Sequence, residues 1–345
     1  MKKMLIFYFI LPFLCSCSHN MLQGQTWDIW LCPPASIPPS PLNRAVDFMQ
    51  LFTPDAPWEK AASHTRVFKL YSSFVNPASQ GQIDTVVADL KRRGIPIALE
   101  VGVIDVNFKD PVPPCGGFGL VEGYGTPATA LNICSKIKKA GGEISYLVMD
   151  EPLYYGHYFT KNPGKSQPGC HSPISQIISL SIPTLDAFVQ QFPHIVIGEA
   201  EPTEIAAFAN WQDSLHTWAS TFQSTMGRPL AFLHLDIPWA NGAPSKEPAD
   251  ALAFYQYAQT LKKEHLLGKI GIIFNGTPRD TTDAAWMQDA RNHVLELQDK
   301  YRLHPDQAII QSWMPHPTHA MPDSDPDALT SLVNFYVEHP GNEFH

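Results

Sequence analysis

The chain has 345 residues, with 44% hydrophobic side chains, 17% charged ones and a formal net charge of -9. That length accommodates one (β/α)8 barrel or two average domains. Charge that is sparse and net negative excludes a polyanion-binding surface, so no nucleic acid partner is expected and the ligand should be neutral or small.

Residues 1–20 read as an export leader. Lys2 and Lys3 precede an apolar run from Met4 to Leu14, followed by small residues around Cys15 and Cys17. This run is shorter than the roughly 20 residues that cross a bilayer. Leu14-Cys15-Ser16-Cys17 resembles a bacterial lipobox, which implies a lipid on Cys17 as the one link to a membrane; ordinary signal-peptidase cleavage nearby is the alternative. Both lead out of the cytoplasm, to the periplasm, the outer membrane or the medium. There disulfides form, and Cys32, Cys115, Cys134 and Cys170 remain to make them. No two of these have the short spacing of a zinc site.

From residue 24 to 345 the expected strands, in chain order, are TWDIWL (26–31), RVFKLYSSF (66–74), PIALEVGV (96–103), ISYLVMD (144–150), HIVIGEA (194–200), LAFLHLD (230–236), KIGIIFN (269–275) and AIIQSW (308–313). Amphipathic helical spacing fills the intervals: QIDTVVADLKRRG (82–94), ATALNICSKIKKAGG (128–142), 174–192, 204–223, 249–268, 283–301 and 327–339. Strand then helix, repeated, predicts an α/β fold, a single-domain (β/α)8 TIM barrel. A doubly wound sheet is the alternative, but it usually needs a glycine-rich first turn, and CPPASIPPSP (32–41) has no glycine.

A barrel places its active site at the carboxyl ends of the strands. The long loops, 104–124 and 152–171, follow strands three and four, and each carries one cysteine. A Cys115–Cys170 disulfide stapling them is therefore expected. One parity of the strands is polar near its end: Asp28 and Trp30, Lys69 and Tyr71, Glu100, Glu199 and Glu201, His234 and Asp236, Asn275, then Gln311 and Trp313. So many ionisable groups converging on one barrel end predict a functional cleft. Trp30, Tyr71, Tyr154, Tyr155, Trp239 and Trp313 at or beyond the strand ends suit carbohydrate, whose C–H faces stack on rings, although aromatic residues also close barrel mouths.

Glycosidic cleavage needs two carboxyl groups, one to protonate the leaving oxygen and one to attack the sugar carbon or activate water. In VMDEPLYYG (148–156), Asp150-Glu151-Pro152 resembles the [N/D]EP sequence that ends strand four in the large clan of glycoside hydrolase barrels. That resemblance implies Glu151 as the general acid/base, with Asp150 as a substrate or positioning residue. The clan's nucleophilic glutamate ends strand seven, where this chain has Asn275, so that retaining mechanism is in doubt. Other glycosidase barrels pair strand four with strand six, where Asp236 stands; Glu199 and Glu201 are the remaining candidate partners. A helix cap, with Pro152 at the first helical position, is the competing reading of the motif.

The expectation is thus an exported glycoside hydrolase, monomeric, acting on an oligo- or polysaccharide without metal or cofactor. Two alternatives stay open. One is a glycan-binding surface lipoprotein without activity; the other is a divalent-metal sugar isomerase or epimerase using Glu151, Glu199, His234 and Asp236.

Overall fold

The computed structural model describes residues 28–35, 45–105, 122–159, 170–239 and 247–339. The expected leader, Cys17 and Cys115 of the expected disulfide lie outside the described residues. Cys32 and Cys134 are buried free thiols.

Eight strands close into a parallel barrel in sequence order: β1 (Ile29–Cys32), β2 (Thr65–Tyr71), β3 (Ile97–Val101), β4 (Ile144–Asp150), β5 (Val196–Pro202), β6 (Leu230–Asp236), β7 (Leu267–Phe274) and β8 (Gln307–Gln311). Closure comes from pairing of β1 with β8, Cys32 lying opposite Gln311. Parallel neighbours require crossovers, which carry α1 (Glu59–His64), α2 (Ser72–Val75), α3 (Gln80–Arg93), α4 (Pro127–Lys139), α5 (Ile174–Gln191), α6 (Trp211–Met226), α7 (Glu247–Lys263) and α8 (Asp283–Leu295); α9 (Leu329–Glu338) follows β8.

Local chemistry sets several boundaries. Ser79 and Gln82 form a reciprocal capping box before α3, and Gly94, at φ 70°, ends it in the left-handed conformation that glycine tolerates. Thr126 caps α4, whose first residue is Pro127. The single helix expected over 204–223 is divided: a 3-10 turn (Thr203–Ala207) precedes Asn210, whose left-handed backbone (φ 58°) interrupts the helical path before α6. The expected strand over 66–74 stops at Tyr71, where the chain turns into α2.

Alternation divides the barrel strands into two faces. One packs under the helices as the main hydrophobic core, including Leu70, Leu99, Leu147, Ile197, Leu235 and Ile272. The other fills the interior with Trp30, Val67, Ala98, Val148, Ala200, Phe232, Ile273 and Ile309. Trp30 lies within 4.8–5.2 Å, ring to ring, of Tyr146, Phe232 and His234, making a solid aromatic floor. Space there is full: a Cβ at Gly198 would lie 2.4 Å from the Phe232 ring and 2.4 Å from its carbonyl oxygen. Gly198→Ala should therefore cost about 1–3 kcal/mol by overpacking, read as a lower urea midpoint with unchanged slope.

Candidate active site

Above the aromatic floor the interior turns polar. Lys69, fully buried on β2, donates to a Glu100 carboxylate oxygen on β3. Burial alone would lower the proton affinity of Lys69, but the negative neighbours, Glu100 foremost, raise it overall, so a cation is held at the centre of the barrel mouth. Gln311 Nε2 on β8 approaches the other Glu100 oxygen at 3.5 Å. Tyr71 donates its hydroxyl to the Ser312 carbonyl at 3.1 Å. Cys32, at the end of β1, sits among these groups, and burial pushes its thiol up to about 12, so it is a neutral filler at physiological pH.

Three further carboxyl groups share electrostatic surroundings with this pair: Asp150 and Glu151 at the end of β4, and Asp236 at the end of β6. All are pushed well above the usual carboxylate range, first by burial. At Asp150 and Asp236 the next cause is Glu100, and Lys69 offsets part of the rise. At Glu151 the leading charges are all negative, from Asp236, Asp150, Glu122 and Glu201.

Glu151 also has an uncommon backbone, with φ 49°, a conformation that costs a non-glycine residue on the order of 1–3 kcal/mol and clusters at functional sites. The turn is held at both ends: Glu151 N–H donates to the Ala200 carbonyl at 3.1 Å, and Tyr155 N–H donates to the Glu151 carbonyl at 3.0 Å. Residues 152–158 then run helically, with Tyr154 and Tyr155 half-buried at the rim. Tyr155 donates to Glu122 at 2.6 Å, and the Tyr154 hydroxyl is bonded to Glu204. Across the mouth Trp313, half-buried, packs on the interior cluster. Asn275 is buried with both amide atoms unpartnered among the described residues, as are Asp236 Oδ1 and Gln311 Oε1, leaving a hydrogen-bonding capacity suited to a polar ligand.

Several expected site residues lie elsewhere. Asp28 is at the opposite, amino-terminal end of the barrel, paired with Lys269 at 2.7 Å and receiving hydrogen bonds from Trp30 at 3.0 Å and Gln307 at 3.1 Å. Trp30 is completely buried as the floor, beyond reach of a ligand. His234, a layer below Asp236, bonds Gln307 at 3.1 Å and stacks on Phe232; burial and then Lys69 hold it neutral. Trp239 is buried against His293, the rings stacked 3.5 Å apart and nearly parallel.

Glu199 and Glu201 face away from the interior, because Ala200 is the β5 residue in the interior cluster and parity sends its neighbours outward. The expected inward facing of Glu199 and Glu201 is reversed because small residues, Gly198 and Ala200, take the interior positions of β5 and alternate with acidic outer ones. Glu199 instead accepts from Trp218 Nε1 on α6 at 2.6 Å. Both oxygens of Glu201 accept backbone N–H groups, from Leu153 at 2.6 Å and Tyr154 at 3.0 Å. The metal-binding alternative required Glu151, Glu199, His234 and Asp236 to converge, and this geometry separates them. Among the described residues no group of three or more His, Cys, Asp or Glu is arranged to hold a metal ion. Glu122, Glu204 and Cys32 were missed. Glu122 comes from a loop, where no periodicity marks it; Glu204 opens the stretch expected to be one helix over 204–223, which gives no sign that its side chain turns to the barrel mouth; and Cys32 shares the parity of Asp28 and Trp30.

Surface grooves of about 490 and 380 Å³ lie at the opposite end of the barrel around the turns before β3, β4 and β5, and another of about 530 Å³ lies between α5 and the end of α6; none brings such a set of ionisable groups together.

Comparison with known proteins bears on the fold. A GH5_18 enzyme from Streptomyces cattleya, in complex with GlcNAc, aligns over 93% of this chain and 83% of its own at a TM-score of 0.50 and 9% identity. The two share the (β/α)8 barrel fold. A GH53 catalytic domain from Ignisphaera aggregans covers 89% of this chain and 99% of its own at 0.48 and 11% identity. Morphinone reductase in complex with tetrahydroNAD covers 92% and 88% at 0.44 and 13%. No protein-family model and no curated protein matches the sequence. At such identities the likeness establishes the fold, and chemistry must be argued from the site.

Burial pushes Glu199 up to about 8 from an ordinary 4.5, against the pull of the Trp218 hydrogen bond. Between those two values the folded protein keeps a proton that the unfolded chain has lost, so Glu199 makes stability decline as pH rises from about 4.5 to 8. In Glu199→Gln that contribution is absent. Its melting temperature, relative to wild type, should climb across this window and level off above it, as checked by thermal scans in steps of pH.

Proposed function

We propose that the protein is an exported glycoside hydrolase whose proton donor is Glu151 and whose partner carboxylate is Asp236. One observation carries the reading: two buried carboxyl groups meet at the mouth of one barrel, Glu151 on the strained turn after β4 and Asp236 ending β6 with Oδ1 unpartnered among the described residues, and Asp236 is the leading charge that raises the proton affinity of Glu151. Two carboxyl groups that raise each other's cost of ionisation can divide the work of acid and base, one keeping its proton. Glu151 delivers its proton to the glycosidic oxygen as the bond to the sugar carbon breaks. Asp236, as the carboxylate, acts at that carbon, directly or through water. A carboxylate on β6 thus takes the part that Asn275 cannot play on β7.

The remaining groups suit a sugar. Asn275 and Gln311 have amide atoms left to bind hydroxyls, Trp313 and the Tyr154–Tyr155 pair offer ring surface, and Asp150 sits beside the donor, where it can bind or orient. An oligo- or polysaccharide is the substrate class this supports. Export follows from the leader-like first twenty residues, with the lipobox-like Cys17 as a lipid attachment point. No helix among the described residues is long and apolar enough to cross a membrane.

The test is a screen of polysaccharides and aryl glycosides with wild type, Glu151→Gln and Asp236→Asn, each checked for folding by circular dichroism. Loss of either carboxyl should lower kcat by about 10²–10⁴-fold with little change in KM. The alkaline limb of the wild-type profile should lie well above the ordinary carboxylate range, because Glu151 must still be protonated to act and its proton affinity is raised. Glycan binding with no turnover by wild type would assign the cleft to capture instead.

A further inference from the structure

We propose that Glu201 is a positioning residue for Glu151: from the outer face of β5 it caps the turn that carries the acid, leaving both cleft carboxylates of β4 free for substrate. The proposal rests on the assignment of Glu151 as proton donor.

The helical segment that begins at Pro152 has backbone N–H groups at its start with no partner in their own segment, and Pro152 supplies none. The usual solution is a short acidic or hydroxyl side chain just before the segment. Asp150 and Glu151 occupy that place, and a carboxylate engaged in capping is not available to a substrate. Here the cap comes from the neighbouring strand. Glu201 Oε1 takes the Leu153 N–H at 2.6 Å and Oε2 takes the Tyr154 N–H at 3.0 Å.

Glu201 is completely buried in the layer between strands and helices, a place where an apolar side chain is the inexpensive choice and a carboxylate persists only if well bonded. Its chain neighbour Ala200 holds the other side of the same turn, accepting from Glu151 N–H at 3.1 Å. Two consecutive residues of β5 therefore fix the segment on which Glu151 adopts φ 49°. From the third side, Gly123 packs so closely that a Cβ there would lie 2.9 Å from Tyr155 Cβ and 3.4 Å from the Glu151 carbonyl oxygen. Burial and then Glu199 raise the proton affinity of Glu201 itself, and its two backbone hydrogen bonds oppose them.

A residue that positions a general acid is distinguished from one that merely supports the fold by its dependence on leaving group. A poor leaving group needs the proton; a dinitrophenolate leaves without it. Wild type, Glu201→Gln, Glu151→Gln and the double variant are compared on a glycan found in the screen and on the matching 2,4-dinitrophenyl glycoside. Glu201→Gln keeps the side-chain length but replaces one acceptor oxygen with an NH2 donor that cannot take a backbone N–H. It should lose about tenfold or more in kcat on the glycan with KM little changed, and lose under about threefold on the activated glycoside. In the Glu151→Gln background it should cost nothing further. If Glu201→Gln does not fold, Glu201→Asp, which keeps both acceptor oxygens but withdraws them by one methylene, is held to the same leaving-group criterion. Equal losses on both glycosides, or none on either, overturn the proposal and leave the role of Glu151 standing. A wild-type protein inactive on every glycan overturns both.

Discussion

Everything in the barrel mouth is organised around the buried ion pair of Lys69 and Glu100. A lone ammonium group could not be kept charged with no exposure to water, and a lone carboxylate could hardly do so; joined across β2 and β3 they persist, and Gln311 closes on the second carboxylate oxygen from β8. The pair carries no net charge, and its two ends act against each other on the neighbouring carboxyls: Glu100 raises the proton affinity of Asp150 and Asp236, and Lys69 offsets part of that rise. The leading charges on Glu151 are its other carboxylate neighbours.

Below that layer the barrel is closed to ligands. Trp30, Tyr146, Phe232 and His234 fill the interior, and the hydrogen bonds linking His234, Gln307, Asp28 and Lys269 complete the lower half. Glycines at the crowded points are part of the same economy of space: Gly198 leaves room for Phe232, and Gly271 for His234. The solid floor sets the depth of the cleft, so the chemistry is confined to the last residue or two of each strand and the loops beyond.

The β4 end illustrates how a fold releases residues for function. By sequence, Asp150 and Glu151 before Pro152 are as good a helix start as they are a catalytic motif. Glu201 settles the competition by taking the backbone donors that would otherwise occupy them. The strain of Glu151 is tolerated because the turn is bonded on both sides and packed by Gly123.

The sequence by itself determined the barrel, since eight β-rich runs alternating with amphipathic helices admit few other arrangements, and helix ends such as Gly94 are written in local chemistry. It also determined that Lys69, Glu100, Asp150, Glu151, Asp236 and Gln311 share one end of that barrel, because a period of two and a common strand direction suffice for it. Depth and facing were decided by the tertiary structure. Whether Glu199 and Glu201 point inward depends on the inter-strand register of β5, and whether Asp28 or His234 reaches the mouth depends on how far up each strand it sits; one residue of shift reverses the first and two change the second. Glu122, Glu204 and the cap from Glu201 were likewise tertiary matters, because their hydrogen bonds join residues about 30 to 50 positions apart, and only the closed barrel brings such groups to one place.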